Sequence, residues 1–238
     1  MIKFILVLLM TCSVAVFPEN YTKAKSWNKN KKSSVTKRKL SKQQLQKAKK
    51  QAPVFLVDTF SDGTYIKNPE WWRFGNLFLS VENNTEKAKF LGGKSLRLRG
   101  DSEKWYVGGC GSFLGLDMGN FSILKMVIYS PKPSSALLKI ELYDDDNKNT
   151  VVDVDSITGK LMGDDVFVYN LMLDWKGWKV VTIPLTQFRD NNLDTGDNVW
   201  NPYKVQKSGG LLQMQILAFS SKNPKDSIDI KIDSIKFN

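Results

Sequence analysis

Hydrophobic and polar residues alternate one by one through most of the chain after residue 52, as in strands that bury one face. Clusters of Gly, Asn, Asp and Pro separate the alternating runs, and no run shows the 3.6-residue period of a long helix. Many short strands within residues 53–238 predict an all-β fold, a jelly-roll β-sandwich. The ten predicted strands are Val54–Asp58, Leu77–Val81, Ser95–Arg99, Ile123–Tyr129, Ala136–Tyr143, Thr150–Val154, Val166–Asn170, Trp178–Ile183, Leu211–Phe219 and Ile228–Phe237.

The strand that begins at Trp178 carries the clearest pattern. Val181 and Ile183 fall on one side of it and Trp178 on the other, so both faces carry large side chains. Pro184 has no amide hydrogen, and we expect it at a strand end near a sheet edge. The apolar residues of Leu185–Phe188 should then fold over the rim of the sandwich as a hydrophobic plug.

The first 15 residues have the pattern of a signal peptide, with a basic start at Lys3, an apolar run over Phe4–Thr11, and the small residues Ser13 and Ala15. The apolar run is shorter than the roughly 20 residues that span a bilayer. The pattern predicts a protein that is secreted, periplasmic or at the cell surface. An open alternative is a lipoprotein anchored through Cys12.

Residues 16–52 are rich in Lys, Ser, Asn and Gln and predict a disordered basic linker, because they bury too little apolar surface to fold. Residues 18–52 contain twelve Lys or Arg and one acid, whereas residues 53–238 contain 22 basic and 23 acidic residues. The net charge of +11 therefore belongs to the linker, and we expect no specific nucleic-acid partner. Two roles stay open for the linker: a solvated spacer, or a contact with an anionic envelope surface.

The sequence contains no histidine, which excludes Ser-His-Asp and Cys-His catalysis and histidine-ligated zinc. The aspartates of Asp144–Asp146 and Asp164–Asp165 lack the spacing of an EF-hand loop, and we expect them to form solvated turns. The glycines of Gly108–Gly111 have no following helix or Lys-Ser/Thr pair, so they predict a bulge or a tight backbone crossing rather than a phosphate site.

Four motifs resemble those of galactose-binding-like jelly rolls. Val57–Gly63 (VDTFSDG) resembles the opening D-F-E-D-G, Gly93–Leu96 (GKSL) resembles G-x-x-S-L, Trp178–Phe188 resembles W-x-x-V-x-I-P-L-x-x-F, and Ile232–Ile235 (IDSI) resembles the closing I-D-x-I. In this order the motifs cover nearly all of residues 53–238. That family includes carbohydrate-binding modules of families 11 and 4 and the complex I intermediate-associated protein domain. Function has to be argued from the site, because one fold serves many functions.

The resemblance also implies a structural calcium ion where the first-strand turn meets the last strand. Ser61, Asp62 and Asp233 would be its ligands, with main-chain carbonyls near Gly93. Ser61 stands where the relatives usually carry glutamate. The open alternative is that these residues only form turns.

The side chains opposite the predicted core include a phenol, two amides, a carboxylate and an ammonium, which suit the hydroxyls and flat C–H faces of sugars. We expect these strands to share a sheet with the strand of Trp178, giving one open face. Other tryptophans, Trp71 and Trp72 among them, fall in or beside predicted loops near the rim, with packing as the alternative role for each. The candidate ligand-binding residues are Trp178, Tyr143, Glu141, Lys139, Gln213 and Gln215.

The sequence thus predicts an exported, non-catalytic module that binds a glycan or polysaccharide. A cell-envelope scaffold or protein-interaction domain without a sugar ligand is the closest alternative. A glycoside hydrolase that uses two carboxylates is a further alternative, with Glu70, Glu141 and Asp174 as candidates, but no pair of them stands out.

Overall fold

The structure of the chain is a computed structural model, and it describes residues 53–84, 93–206 and 208–238, with no side chain described at position 206. The predicted signal peptide, Cys12 and the basic linker lie outside the described residues. Within the described ranges, no helix is both long and apolar enough to cross a membrane.

The described residues form twelve strands and two short 3-10 helices at Leu185–Gln187 and Lys204–Gln206. The strands are β1 (Phe55–Asp58), β2 (Trp72–Gly75), β3 (Phe78–Asn83), β4 (Lys94–Asp101), β5 (Tyr106–Leu116), β6 (Ile123–Ser130), β7 (Leu137–Asp144), β8 (Asp165–Met172), β9 (Gly177–Pro184), β10 (Arg189–Asp190), β11 (Leu211–Phe219) and β12 (Ser227–Phe237).

The strands form two antiparallel sheets of six strands each. Sheet I has the order β3-β4-β12-β6-β9, with β1 also paired to β12, and sheet II has the order β10-β8-β7-β11-β5-β2. Two sheets with these crossovers make a jelly-roll β-sandwich, which confirms the predicted fold class.

One hydrophobic core fills the space between the sheets. Leu98, Ile128 and Ile230 of sheet I and Ile140 and Ile216 of sheet II are fully buried in it. Successive side chains of a strand point to opposite faces of the sheet. In each of these strands, the residues next to a core residue therefore point away from the core. The side of sheet II that points away from the core is called its outer face below.

The end of β9 is as predicted. Pro184 is the last residue of β9, which lies at the edge of sheet I and pairs only with β6. The next residues form the 3-10 helix, and Leu185 and Phe188 are buried against the core. Proline has no amide hydrogen to donate. This costs no ladder hydrogen bond on the side of β9 that has no neighbouring strand, so Pro184 is tolerated there.

Nine of the ten predicted strands are present, and the prediction of a strand at Thr150–Val154 is wrong. Only Val154 in that stretch forms a bridge, to Leu161, while Val152 packs against the outer face of sheet II. Three strands were not predicted: β2, β5 and β10. The glycine-rich sequence of β5 has low strand propensity, and its pairing with β11 and β2 overrides this.

Trp71 is buried beside the first strand, where its indole Nε1 donates a hydrogen bond of 2.9 Å to Asp58 Oδ2. We expect Trp71→Phe to lower the free energy of unfolding by about 1–3 kcal/mol, because a buried carboxylate oxygen loses its partner. Urea denaturation would measure the change. Trp105→Phe, at a position that is 45% exposed, is the control and should change stability by no more than about 0.5 kcal/mol. Equal effects of the two substitutions would contradict this role for Trp71.

Candidate functional site

One row of residues crosses the outer face of sheet II from edge to edge. Each member is the direct partner of the next on the neighbouring strand, which places their Cβ atoms about 4.5–5.5 Å apart on one face. The row consists of Trp72, Gly111, Gln215, Glu141, Val168 and Arg189. A second row beside it consists of Phe74, Gly109, Leu217, Lys139 and Asn170.

Two aromatic rings of β2 lie over glycines of β5. A Cβ atom on Gly111 would stand 2.6 Å from Cζ2 of Trp72, and one on Gly109 would run into the ring of Phe74. Because these glycines have no side chains, the rings can rest on the backbone of the sheet. The glycine-rich stretch therefore supports an aromatic surface at one edge of the outer face. The sequence predicted only a bulge or a tight backbone crossing for this stretch.

Phe113 extends this aromatic surface. Its side chain is 66% exposed, an unusual exposure for a phenylalanine in a strand. Its ring centroid lies 4.5 Å from that of Trp72, with the ring planes tilted by 41°. We call Trp72, Phe74 and Phe113 the aromatic platform.

Next to the aromatic platform, a hydrogen-bonded set of polar residues surrounds Glu141. Lys139 Nζ lies 2.9 Å from Glu141 Oε1, and the Tyr143 hydroxyl donates a hydrogen bond of 2.9 Å to Glu141 Oε2. Burial, and then the Glu141 carboxylate, raise the pKa of Tyr143 above its ordinary value, so the hydroxyl stays a donor. Both oxygens of Glu141 are thus held in place.

The loop between β7 and β8 covers one end of the outer face. Val152 and Leu161 from this loop pack against Tyr143, Val166 and other apolar residues of sheet II. Tyr143, Gln213 and Glu141 are buried on this face. The open part of the outer face is therefore the part that carries the aromatic platform, Gln215 and Lys139.

Five of the six predicted ligand-binding residues lie on this outer face, and Trp178 does not. Trp178 is on β9, so the expectation that it shares a sheet with β7 and β11 is wrong. Its ring packs at 5.4 Å from Tyr129 on the outer side of sheet I. The sequence pattern showed which side of its own strand Trp178 faces, but strand order is a property of the tertiary structure.

The three predicted calcium ligands make contacts of different kinds. Asp62 is exposed and accepts a hydrogen bond from the Thr64 amide, and Ser61 is exposed and hydrogen-bonded to Thr59. Asp233 is buried and accepts a hydrogen bond from Asn84. The ammonium of Lys94 lies against Gly63, and a cation beside this turn competes with a metal ion. The calcium prediction for these three residues stays a prediction.

The aspartates that the sequence predicted to form solvated turns are mostly buried, so that expectation is wrong. Asp145, Asp164 and Asp165 have no exposed surface. Together with Asp144, Asp146 and Asp197 they form what we call the aspartate cluster. It lies at the end of β7, at the start of β8 and in the loop between β10 and β11. Among the described residues, Asp146, Asp165 and Asp197 form a group whose carboxylate oxygens lie within 4.8 Å of one another and could hold a metal ion.

Burial and neighbouring negative charges disfavour the ionised form of the carboxyl groups in the aspartate cluster. Burial raises the pKa of Asp144 to about 7, although Ser208 Oγ and the Asn201 amide donate hydrogen bonds to it. Burial, and then the charge of Asp145, raise the pKa of Asp164 to about 7. Burial, and then the charge of Asp144, raise the pKa of Asp146 to about 7. Burial, and then the charge of Asp146, raise the pKa of Asp165 to about 7.

The carboxylates considered for hydrolysis are not brought together as a free pair. Glu141 is held by Lys139 and Tyr143. Asp174 is exposed and lies 3.7 Å from Lys179 at the edge of sheet I. Glu70 is exposed and forms a bridge with Ile66 before β2.

Solved structures to which the chain is similar include carbohydrate-binding modules. The family 11 module of a cellulosomal cellulase of Clostridium thermocellum is 16% identical, covers 79% of this chain and 95% of its own, and has a TM-score of 0.48. The same kind of module from that organism, solved with a β-1,3-1,4-mixed-linked tetrasaccharide, is 16% identical over 77% of this chain and 94% of its own, with a TM-score of 0.47.

A xylan-binding family 22 module from Paenibacillus barcinonensis is 12% identical over 79% of this chain and 96% of its own, with a TM-score of 0.42. No protein-family model matches the chain. No curated protein sequence matches it either.

The sequence pattern does not predict the aromatic platform as a unit. It indicates a position near the rim for Trp72 and no site role for Phe74 or Phe113. One pattern in the sequence points to the aromatic platform. Aromatic residues occupy positions 72 and 74 and glycines occupy positions 109 and 111, and residues two apart in a strand lie on the same face. Their pairing depends on the contact between β2 and β5, which are separated by about 30 residues of chain.

We expect Gly111→Ala to lower the free energy of unfolding by about 1–3 kcal/mol, because the new methyl group collides with the ring of Trp72 and stands 2.9 Å from Cγ of Gln215. Denaturant unfolding would measure it. Gly93→Ala is the matched control, because a Cβ there has no neighbour within 4 Å. In a double-mutant cycle, Trp72→Ala should remove most of the cost of Gly111→Ala. Strictly additive effects would contradict the contact.

Proposed function

We propose that this protein is a non-catalytic module that binds a glycan chain along the open part of the outer face of sheet II. The observation that carries the proposal is the aromatic platform lying directly beside Gln215, Lys139 and Glu141 on one face. Flat rings cover the C–H faces of pyranoses, while the amide of Gln215 and the ammonium of Lys139 exchange hydrogen bonds with the hydroxyls.

The size of the aromatic surface suits this ligand. Covering about 100 Å² of a sugar ring contributes about 2.5 kcal/mol per aromatic ring, at about 25 cal/mol per Å². One ring alone would give millimolar binding or weaker once ordering costs are subtracted. Trp72 and Phe113 together double the contribution, and the polar residues beside them add specificity.

The polar residues are held in place before any ligand arrives. Glu141 is fixed by Lys139 and by Tyr143, which are themselves fixed by sheet register and by the loop that covers Tyr143. Fixed groups lose little conformational entropy on binding, so their hydrogen bonds to sugar hydroxyls contribute more to affinity. In this proposal Glu141, which is buried, holds Lys139 in position and transfers no proton.

The proposal includes export of the protein from the cytoplasm. The signal-peptide pattern of residues 1–15 and the basic composition of residues 16–52 support a protein outside the cytoplasm, where polysaccharides are found. The linker would act as a spacer or contact an anionic envelope surface. A calcium ion held by Ser61, Asp62 and Asp233 belongs to the same proposal and would be structural.

Binding to a panel of polysaccharides that includes β-1,3-1,4-glucan and xylan, measured by affinity electrophoresis and pull-down, tests the proposal. We expect Trp72→Ala and Phe113→Ala each to weaken binding by about 10-fold to 100-fold, since each removes one ring of the aromatic platform. Gln215→Ala should also weaken it, through the loss of hydrogen bonds.

The matched control is Trp178→Ala, which removes the same type of side chain from the other sheet. It should leave binding unchanged, and circular dichroism should show that all variants remain folded. Loss of binding in Trp178→Ala but not in Trp72→Ala would place the site on sheet I and contradict the proposal. Failure of the wild-type protein to bind any polysaccharide would favour a scaffold or protein-interaction role.

A further inference from the structure

Several buried oxygens of the aspartate cluster have no hydrogen-bond partner among the described residues. Seven buried side-chain N or O atoms of the described residues lack a hydrogen-bond partner, and five of them belong to this cluster. They are Oδ1 of Asp145, Oδ2 of Asp146, both carboxylate oxygens of Asp164, and Oδ1 of Asp165. Buried oxygens of this kind are rare in native proteins and call for a partner.

No ion pair of the described residues supplies that partner. The ion pairs of the described residues join Arg97 to Glu82 and Asp229, Lys139 to Glu141, and Lys179 to Asp174. None reaches the cluster. Burying several like charges without a cation is costly, because each carboxylate loses its hydration and repels the others.

Two of the unpartnered oxygens converge on one point beside Gly196. An ideal Cβ atom on Gly196 would overlap Oδ1 of Asp165 and stand 2.6 Å from Oδ2 of Asp146. Gly196 has a φ of +71°, a conformation that glycine adopts without strain. The missing side chain leaves room for the two oxygens to approach each other, and Asp197 follows directly in the chain.

We propose that Asp146, Asp165 and Asp197 bind a calcium ion. Their oxygens lie within 4.8 Å of one another, close enough for one cation at the 2.3–2.6 Å typical of calcium to contact all three. The donors are hard carboxylate oxygens on loops, which favours calcium over magnesium. Zinc is disfavoured because the chain has no histidine and the described Cys110 lies in the core.

This site differs from the one at Ser61, Asp62 and Asp233 that the sequence resemblance implied. Asp146 lies just after β7, Asp165 is the first residue of β8, and Asp197 is in the long loop between β10 and β11. A cation here would tie that loop to the ends of β7 and β8. It would also fix the start of the loop whose Val152 and Leu161 cover one end of the outer face.

Calcium titration of the full-length protein, after treatment with EDTA, tests the proposal. At a calcium concentration about 100-fold above Kd, we expect the melting temperature to rise by about 5–10 °C, with a much smaller rise in magnesium. Asp197→Asn, at an exposed position, should weaken calcium binding at least 10-fold in isothermal titration calorimetry. Asp146→Asn should melt no lower than the wild type in EDTA, because it removes a repelling charge, and should lose the response to calcium.

Asp62→Asn is the matched control, because Asp62 belongs to the other predicted calcium site. It should keep the calcium response of the wild type. The proposal is overturned if calcium changes neither the melting temperature nor the heat of titration of the wild type. It is also overturned if Asp146→Asn and Asp197→Asn respond normally while Asp62→Asn does not. Neither result bears on glycan binding, which is measured separately on the outer face.

Discussion

The register between neighbouring strands of sheet II decides what its outer face can do. Gln215 lies directly opposite both Gly111 and Glu141, and this pairing continues to Trp72 at one edge. Side chains alternate between the two faces of a strand, so a shift by one residue would turn Ile216 outward and Gln215 into the core. The buried apolar residues hold the register, because such a shift would expose them to water. The polar row on the outside is therefore fixed by the core on the inside.

The aromatic platform depends on the same register in a different way. Gly109 and Gly111 weaken β5 as an isolated strand, because glycine loses more backbone entropy on folding than other residues do. Their cost is offset by the packing of Phe74 and Trp72 on the bare backbone. β2 is only four residues long and lies at the edge of sheet II, so contact with the rings contributes much of what holds it there. Stability and the shape of the open face are linked at this edge.

At the end of the sandwich that carries the aspartate cluster, the balance of forces differs. Asp144 has two hydrogen-bond donors, Ser208 and the amide of Asn201, and this explains how one buried carboxylate is tolerated. Asp164 and Asp165 are fully buried and keep oxygens without such donors. The neighbouring backbone amides only partly offset the rise in their pKa values. The calcium site proposed above would account for both the burial and the missing partners.

The sequence alone determined the fold class, nine of the strands, the strand end at Pro184, and which side chains of β7 and β11 point outward. These are local properties, because alternation and turn chemistry act over a few residues. Only the tertiary structure decided that Trp178 lies on the opposite sheet, that Trp72 and Phe113 meet, and that the aspartates of two separate stretches are buried together. Strand order and loop burial depend on contacts between residues far apart in the chain, and an alternating pattern contains no information about which strands become neighbours.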